Sequence, residues 1–93
     1  MHVELSLYGQ SRDVIGEKTI ERDVPDGSTV REVFGGLIEE YPGLEGSLLT
    51  DDGELPPALN VTRNGSSISN DDGLETVLDD GDELRIAQSL RGG

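Results

Sequence analysis

The stretch that most constrains this fold runs from Thr29 to Tyr41. Val30, Val33, Phe34, Leu37, Ile38 and Tyr41 recur at the spacing of one helical face. Thr29 with Glu32 three residues later forms a capping box that fixes the helix start. Pro42-Gly43 ends it. A helix with one apolar stripe cannot bury that stripe alone. In a chain of 93 residues, one small domain, the stripe must lie on a sheet. Gly35-Gly36 sits mid-helix and costs about 1 kcal/mol per glycine relative to alanine. A close approach of helix to sheet would explain the pair, and so would weak selection.

The rest of the chain supplies strands. Val3, Leu5 and Leu7 alternate with Glu4 and Ser6, the period-two pattern of a half-buried strand. Gly9 to Gly16 breaks it, with Val14-Ile15 suggesting a helical turn. Lys18 to Val24 reads as a second strand, closed by the turn Pro25-Asp26-Gly27. Leu44 to Leu55 is irregular, anchored by Leu44, Leu48 and Leu49, and Pro56-Pro57 blocks regular structure. Leu59, Val61 and Arg63 read as a third strand running into Asn64-Gly65, a strong hairpin signal. Ser66 to Ser69 is the return strand, and Leu74 to Leu78 a helical turn. Asp79-Asp80-Gly81-Asp82 is a tight turn. Leu84 and Ile86 alternate with Glu83 and Arg85 in a last strand ending near Ala87. One long helix crossing between paired strands predicts an α+β grasp, with first and last strands adjacent and parallel. The expected organisation is a domain over residues 1–87 and a flexible tail over 88–93.

Composition narrows the chemistry. There is no cysteine, hence no disulfide, thiolate metal site or cysteine nucleophile. The one histidine, His2, lies near the N-terminus, where a solvated role is expected. Three Asp-Asp-Gly triplets, at Asp51, Asp71 and Asp79, read as solvated turns, because none has the ligand spacing of a calcium loop. No catalytic residues, bound metal or bound cofactor are expected. The net charge of -13 disfavours nucleic acid and anionic membranes as partners. Six of the seven basic residues are arginine, and Lys18 is the sole lysine. Such a surface repels itself in dilute buffer, and molar salt cuts the screening length to about 3 Å. A salt-rich cytoplasm fits this pattern; an acidic mesophilic protein is the alternative. The first residues show no secretory signal, so a cytoplasmic monomer is expected.

The sequence finishes Leu90-Arg91-Gly92-Gly93. Glycines lack a Cβ, so the pair makes a thin, reachable carboxylate. The six residues after Ala87 span about 20 Å when extended, enough to enter another protein's active site. A carboxylate becomes an acyl donor once esterified, for example as a mixed anhydride with AMP, and then accepts attack by a thiolate, sulfide or amine.

The element order, the capped helix at Thr29, the pair around Leu59 to Gly65, the stretch Leu78-Asp79-Asp80-Gly81-Asp82-Glu83-Leu84 and the terminal Gly92-Gly93 together resemble the ubiquitin-like sulfur-carrier family. That family includes the molybdopterin-synthase small subunit, the thiamine-pathway sulfur carrier and the small archaeal ubiquitin-like modifiers. With its acidic surface, the chain looks most like the haloarchaeal modifiers. The resemblance implies a β-grasp fold, a mixed sheet of about five strands on one main helix. It implies that a ubiquitin-activating-type enzyme adenylates Gly93 with ATP, with Gly92, Arg91 and Leu90 recognised as the tail. Gly93 then becomes a thiocarboxylate or is joined to a target lysine by an isopeptide bond. Gln88-Ser89 stand where molybdopterin-synthase small subunits usually carry Pro-Pro, which weakens a role with the large subunit of that enzyme. Leu90-Arg91-Gly92-Gly93 is the tetrad that ends mature ubiquitin, which favours protein modification. Lys18 is a candidate acceptor for another copy, against the plain reading of a solvated lysine. Two alternatives stay open: a dedicated sulfur carrier for molybdopterin or tRNA thiolation, and a non-covalent β-grasp interaction module.

Overall fold

The computed structural model describes residues 1–88. Five strands form one mixed sheet: β1 (His2–Leu7), β2 (Thr19–Asp23), β3 (Leu59–Arg63), β4 (Ser66–Ser67) and β5 (Asp82–Gln88), in the order β2-β1-β5-β3-β4. β1 and β5 are parallel neighbours at the centre, with Leu5 opposite Leu84 and Leu7 opposite Ile86. β2 and β3 flank them antiparallel. A short helix α1 (Gln10–Ile15) follows β1, and the main helix α2 (Val30–Glu40) crosses one face of the sheet.

The helix forms where its caps and stripe place it. The Thr29 hydroxyl accepts from the Glu32 N–H at 3.2 Å, and the Glu32 carboxylate accepts from the Thr29 N–H at 2.9 Å. Val30, Val33, Phe34 and Leu37 turn inward, and Phe34 is the largest fully buried side chain. They meet Val3, Leu5, Leu7, Val61, Leu84 and Ile86 from the sheet's inner face. Burying each such side chain contributes roughly 1.5–3 kcal/mol, so helix and sheet stand or fall together. Leu44 and Leu48 close the core from the irregular connection, both fully buried.

Local chemistry sets the boundaries. The β3–β4 turn places Asn64 at φ 50° and Gly65 at φ 91°, the pair of left-handed conformations that Asn-Gly tolerates best. β4 is shorter than the expected Ser66 to Ser69. The Ser67 hydroxyl accepts from the Ser69 N–H at 3.3 Å and starts a 3-10 turn, Ile68–Asn70, that buries Ile68. A serine side chain competes here with the strand ladder. The expected turn at Leu74 to Leu78 is a 3-10 turn at Gly73–Glu75, after which Val77 bridges back to Thr29.

One boundary moves by a single residue, and one of the two explanations left open for the helix glycines falls away. The last strand ends near Ala87 as expected but runs one residue past it: Gln88 pairs with Leu59 and belongs to β5 rather than to the tail. A polar strand residue gives no hydrophobic signal, so nothing in the pattern marked it. Nor does a close helix–sheet approach explain Gly35-Gly36, because a Cβ at either position would meet no atom within 4 Å.

Candidate functional site: the tail-bearing end of the sheet

Leu90, Arg91, Gly92 and Gly93 lie outside the described residues. The strand that leads into them is central and held on both sides. On one side the Tyr8 N–H donates to the Ile86 carbonyl at 3.0 Å, and on the other Leu59 pairs with Gln88. The Gln88 side chain clasps the start of α1: its Oε1 accepts from the Gln10 N–H and its Nε2 donates to the Gln10 Oε1, both at 3.4 Å. Gly9 precedes the clasp at φ 70°, a left-handed conformation that favours glycine, while a Cβ there would make only an ordinary 3.6 Å contact with the Gln88 Oε1. Any segment after Gln88 therefore starts from a fixed point at the rim of the sheet.

The sheet's outer face beside this exit is mixed rather than uniformly acidic. Arg85 lies over the Tyr8 ring at 5.8 Å from its centroid, and Tyr8 is 44% exposed. A cation on an exposed ring contributes roughly 0.5–1 kcal/mol, and the pair makes a small cationic-aromatic patch. Sequence reading assigned Arg85 only as an outward strand position. The signal for the patch was the parallel register of β1 and β5, which periodicity alone does not give.

Lys18 is exposed and lies at the same end as Gln88, because its carbonyl accepts from the Leu7 N–H at 2.7 Å. Two strand spacings separate β2 from β5, about 10 Å. The N-terminal amine is at the other end. It donates to the Val24 carbonyl at 2.7 Å and lies 3.3 Å from Asp26. His2 is exposed, as expected, with its ring nitrogens 3.2 Å from Glu21 and 3.5 Å from Asp23 on the outer face.

The far end of β5 is pinned by a cluster the sequence reading missed. Asp82, residue exposure 5%, accepts from Arg63 Nε at 2.7 Å, Asn64 Nδ2 at 2.9 Å and the Asp79 N–H at 2.7 Å. Burial alone would raise the Asp82 pKa, but these hydrogen bonds outweigh it and hold the carboxyl below its ordinary value. Arg63 is pushed higher, chiefly by its bond to Asp82. Its Nη2 also donates to Asp79 at 2.9 Å, and Asp71 stands 3.8 Å from Nη1. Two of the Asp-Asp-Gly turns thus meet at one arginine. Among the described residues no group of three His, Asp or Glu side chains is placed to hold a metal. No described helix is long and apolar enough to cross a membrane.

A family model describing the ThiS family matches residues 5–93. The chain belongs to the ThiS family. It is 41% identical over 93 residues, covering all of both chains, to small archaeal modifier protein 3 of Haloferax volcanii. The crystal structure of SAMP1 from the same organism superposes with a TM-score of 0.85 at 32% identity, again over all of both chains. A chain of Archaeoglobus fulgidus, provisionally named a sulfur carrier protein, is 39% identical over 66 residues, 70% of this chain and 74% of its own. The fold of this ThiS-family chain is accordingly the ubiquitin-like β-grasp, and its relatives are small modifiers and carriers rather than catalysts.

Proposed function

We propose that this chain is a ubiquitin-like protein modifier whose Gly93 carboxylate is the reacting group. The observation that carries the reading is the end-to-end similarity to a modifier protein, joined to a central strand clamped up to Gln88 that leads into Leu90-Arg91-Gly92-Gly93. A ubiquitin-activating-type enzyme supplies ATP and the catalytic groups. The Gly93 carboxylate attacks the α-phosphorus, pyrophosphate leaves, and an acyl-adenylate forms. A target lysine amine then attacks the acyl carbon, forming the isopeptide bond as AMP leaves and the amine loses its proton. Sulfide in the amine's place leaves a thiocarboxylate, so one activated carboxylate serves both chemistries. Leu90, Arg91 and Gly92 form the segment the enzyme grips, and the chain acts as a cytoplasmic monomer.

The likeness to a named sulfur carrier favours a second reading, dedicated sulfur delivery. In that case the molybdopterin-synthase large subunit or a tRNA-thiolating enzyme is the partner. Lys18, exposed at the tail-bearing end, is the one internal acceptor for a further copy. Oligomeric conjugates that persist in a Lys18→Arg variant remove it from that role.

The test is ATP–pyrophosphate exchange with an adenylating enzyme from the same cells. Exchange that requires this chain and is lost when Gly92 and Gly93 are deleted is the expected result. Exchange that ignores the deletion overturns the reading.

A further inference from the structure

A groove of about 170 Å³ lies between the edge strand β2 and helix α2. Val24, Val33, Gly36 and Leu37 line it beside the Arg22–Glu40 ion pair and the Glu32 side chain. Gly36 is exposed and meets nothing, although alanine would stabilise an exposed helix position by up to about 1 kcal/mol. Packing within the chain gives no reason for the glycine.

The strand beside the groove has a free edge. Leu7 and Lys18 form a bonded pair, as do Met1 and Val24, so even-numbered residues from 18 to 24 face β1. Thr19, Glu21 and Asp23 therefore turn their backbone groups outward. Among the described residues only the Glu21 carbonyl is engaged there, by its neighbour's Arg22 Nη1 at 2.8 Å, an exposed bond that an incoming strand can displace. The side chains alternate across the same edge: Ile20 and Arg22 toward the helix, Glu21 and Asp23 on the outer face.

Charge selects the occupant. Arg22 is already matched by Glu40, with Nε–Oε1 at 3.0 Å and Nη2–Oε2 at 2.6 Å. Glu21 and Asp23 share only His2, and the whole chain carries -13. Acidic side chains on an edge strand repel another copy of this chain. They attract a cationic one. We propose that β2 and the Gly36 groove bind an extended basic segment of a partner protein as a sixth strand. Its alternate apolar side chains enter the groove, and its arginines or lysines lie opposite Glu21 and Asp23. This surface does not depend on the chemistry of Gly93.

The test uses the full chain, isotope-labelled, in salt that keeps it folded, with three synthetic hexapeptides: alternating Arg-Val, alternating Arg-Ser and alternating Glu-Val. The Arg-Val peptide is expected to bind saturably, shift the Thr19, Glu21, Asp23 and Gly36 amides, and slow exchange at the three edge amides. Gly36→Leu should weaken it by roughly tenfold or more without lowering the melting temperature, because the added side chain fills the groove. A Glu21→Lys, Asp23→Lys variant should switch preference to the Glu-Val peptide. Equal binding of the Arg-Ser peptide, unchanged affinity of Gly36→Leu, shifts confined to Arg85 and Tyr8, or dimerisation of the free chain through β2 would each overturn the proposal.

Discussion

Replacing Asp82 by alanine is the sharpest test of how this fold holds its central strand. The carboxylate receives three hydrogen bonds of 2.7 to 2.9 Å at the start of β5, one of them from a guanidinium. A hydrogen bond to a charged group contributes about 1.5–3 kcal/mol, and breaking a buried pair costs about 3–5. The Arg63 side chain is 26% exposed, so water recovers part of its loss, as do Asp79 and Asp71. The expected cost is thus near the lower bound, about 3 kcal/mol. At about 4–8 °C per kcal/mol for a domain of this size, the melting temperature should fall by roughly 12–24 °C. Thermal unfolding followed by circular dichroism at pH 7 measures it. Because the folded Asp82 pKa is depressed, its contribution is complete above the unfolded value of about 3.9 and is lost as pH falls through the folded value. The gap between parent and variant should therefore narrow below about pH 3.9. A melting shift under about 4 °C at pH 7, less than one kcal/mol, would refute the reasoning.

Gly36→Ala should raise the melting temperature by up to about 4–8 °C, since it gains helix propensity and its Cβ meets nothing. Thr29→Ala removes the hydroxyl that caps the Glu32 N–H and should cost about 1 kcal/mol in a denaturant titration. Raising salt toward molar concentration should stabilise the chain, because screening relieves the repulsion of a -13 charge. Full stability by circular dichroism in salt-free buffer would contradict that.

The helix was legible because three independent signals agreed on it: the Thr29–Glu32 box, the stripe from Val30 to Leu37 and the Pro42-Gly43 stop. The central parallel pair followed from topology, since a single long helix leaves few ways to close a small sheet. Contacts across the chain were not legible. Asp82 looked like one more turn aspartate, yet it meets Arg63 nineteen positions away only once β3 and β5 are paired. Gln88 looked like tail because its partners, Leu59 and Gln10, are distant in sequence. The glycine pair in α2 was visible, but its open surroundings depend on where β2 ends. Composition identified Lys18 as the sole lysine; the bonded Leu7–Lys18 pair placed it at the tail-bearing end.

The central claim is that chemistry happens at Gly93, with catalysis supplied by a partner. Tryptic mass spectrometry of conjugates, purified from cells through a tag on the N-terminus of this chain, tests it most directly. Cleavage after Arg91 should leave Gly-Gly on lysines of target proteins, and deleting Gly92 and Gly93 should abolish every such remnant. Conjugates that survive the deletion, or lysines carrying no Gly-Gly in the presence of ATP and the activating enzyme, would contradict the account.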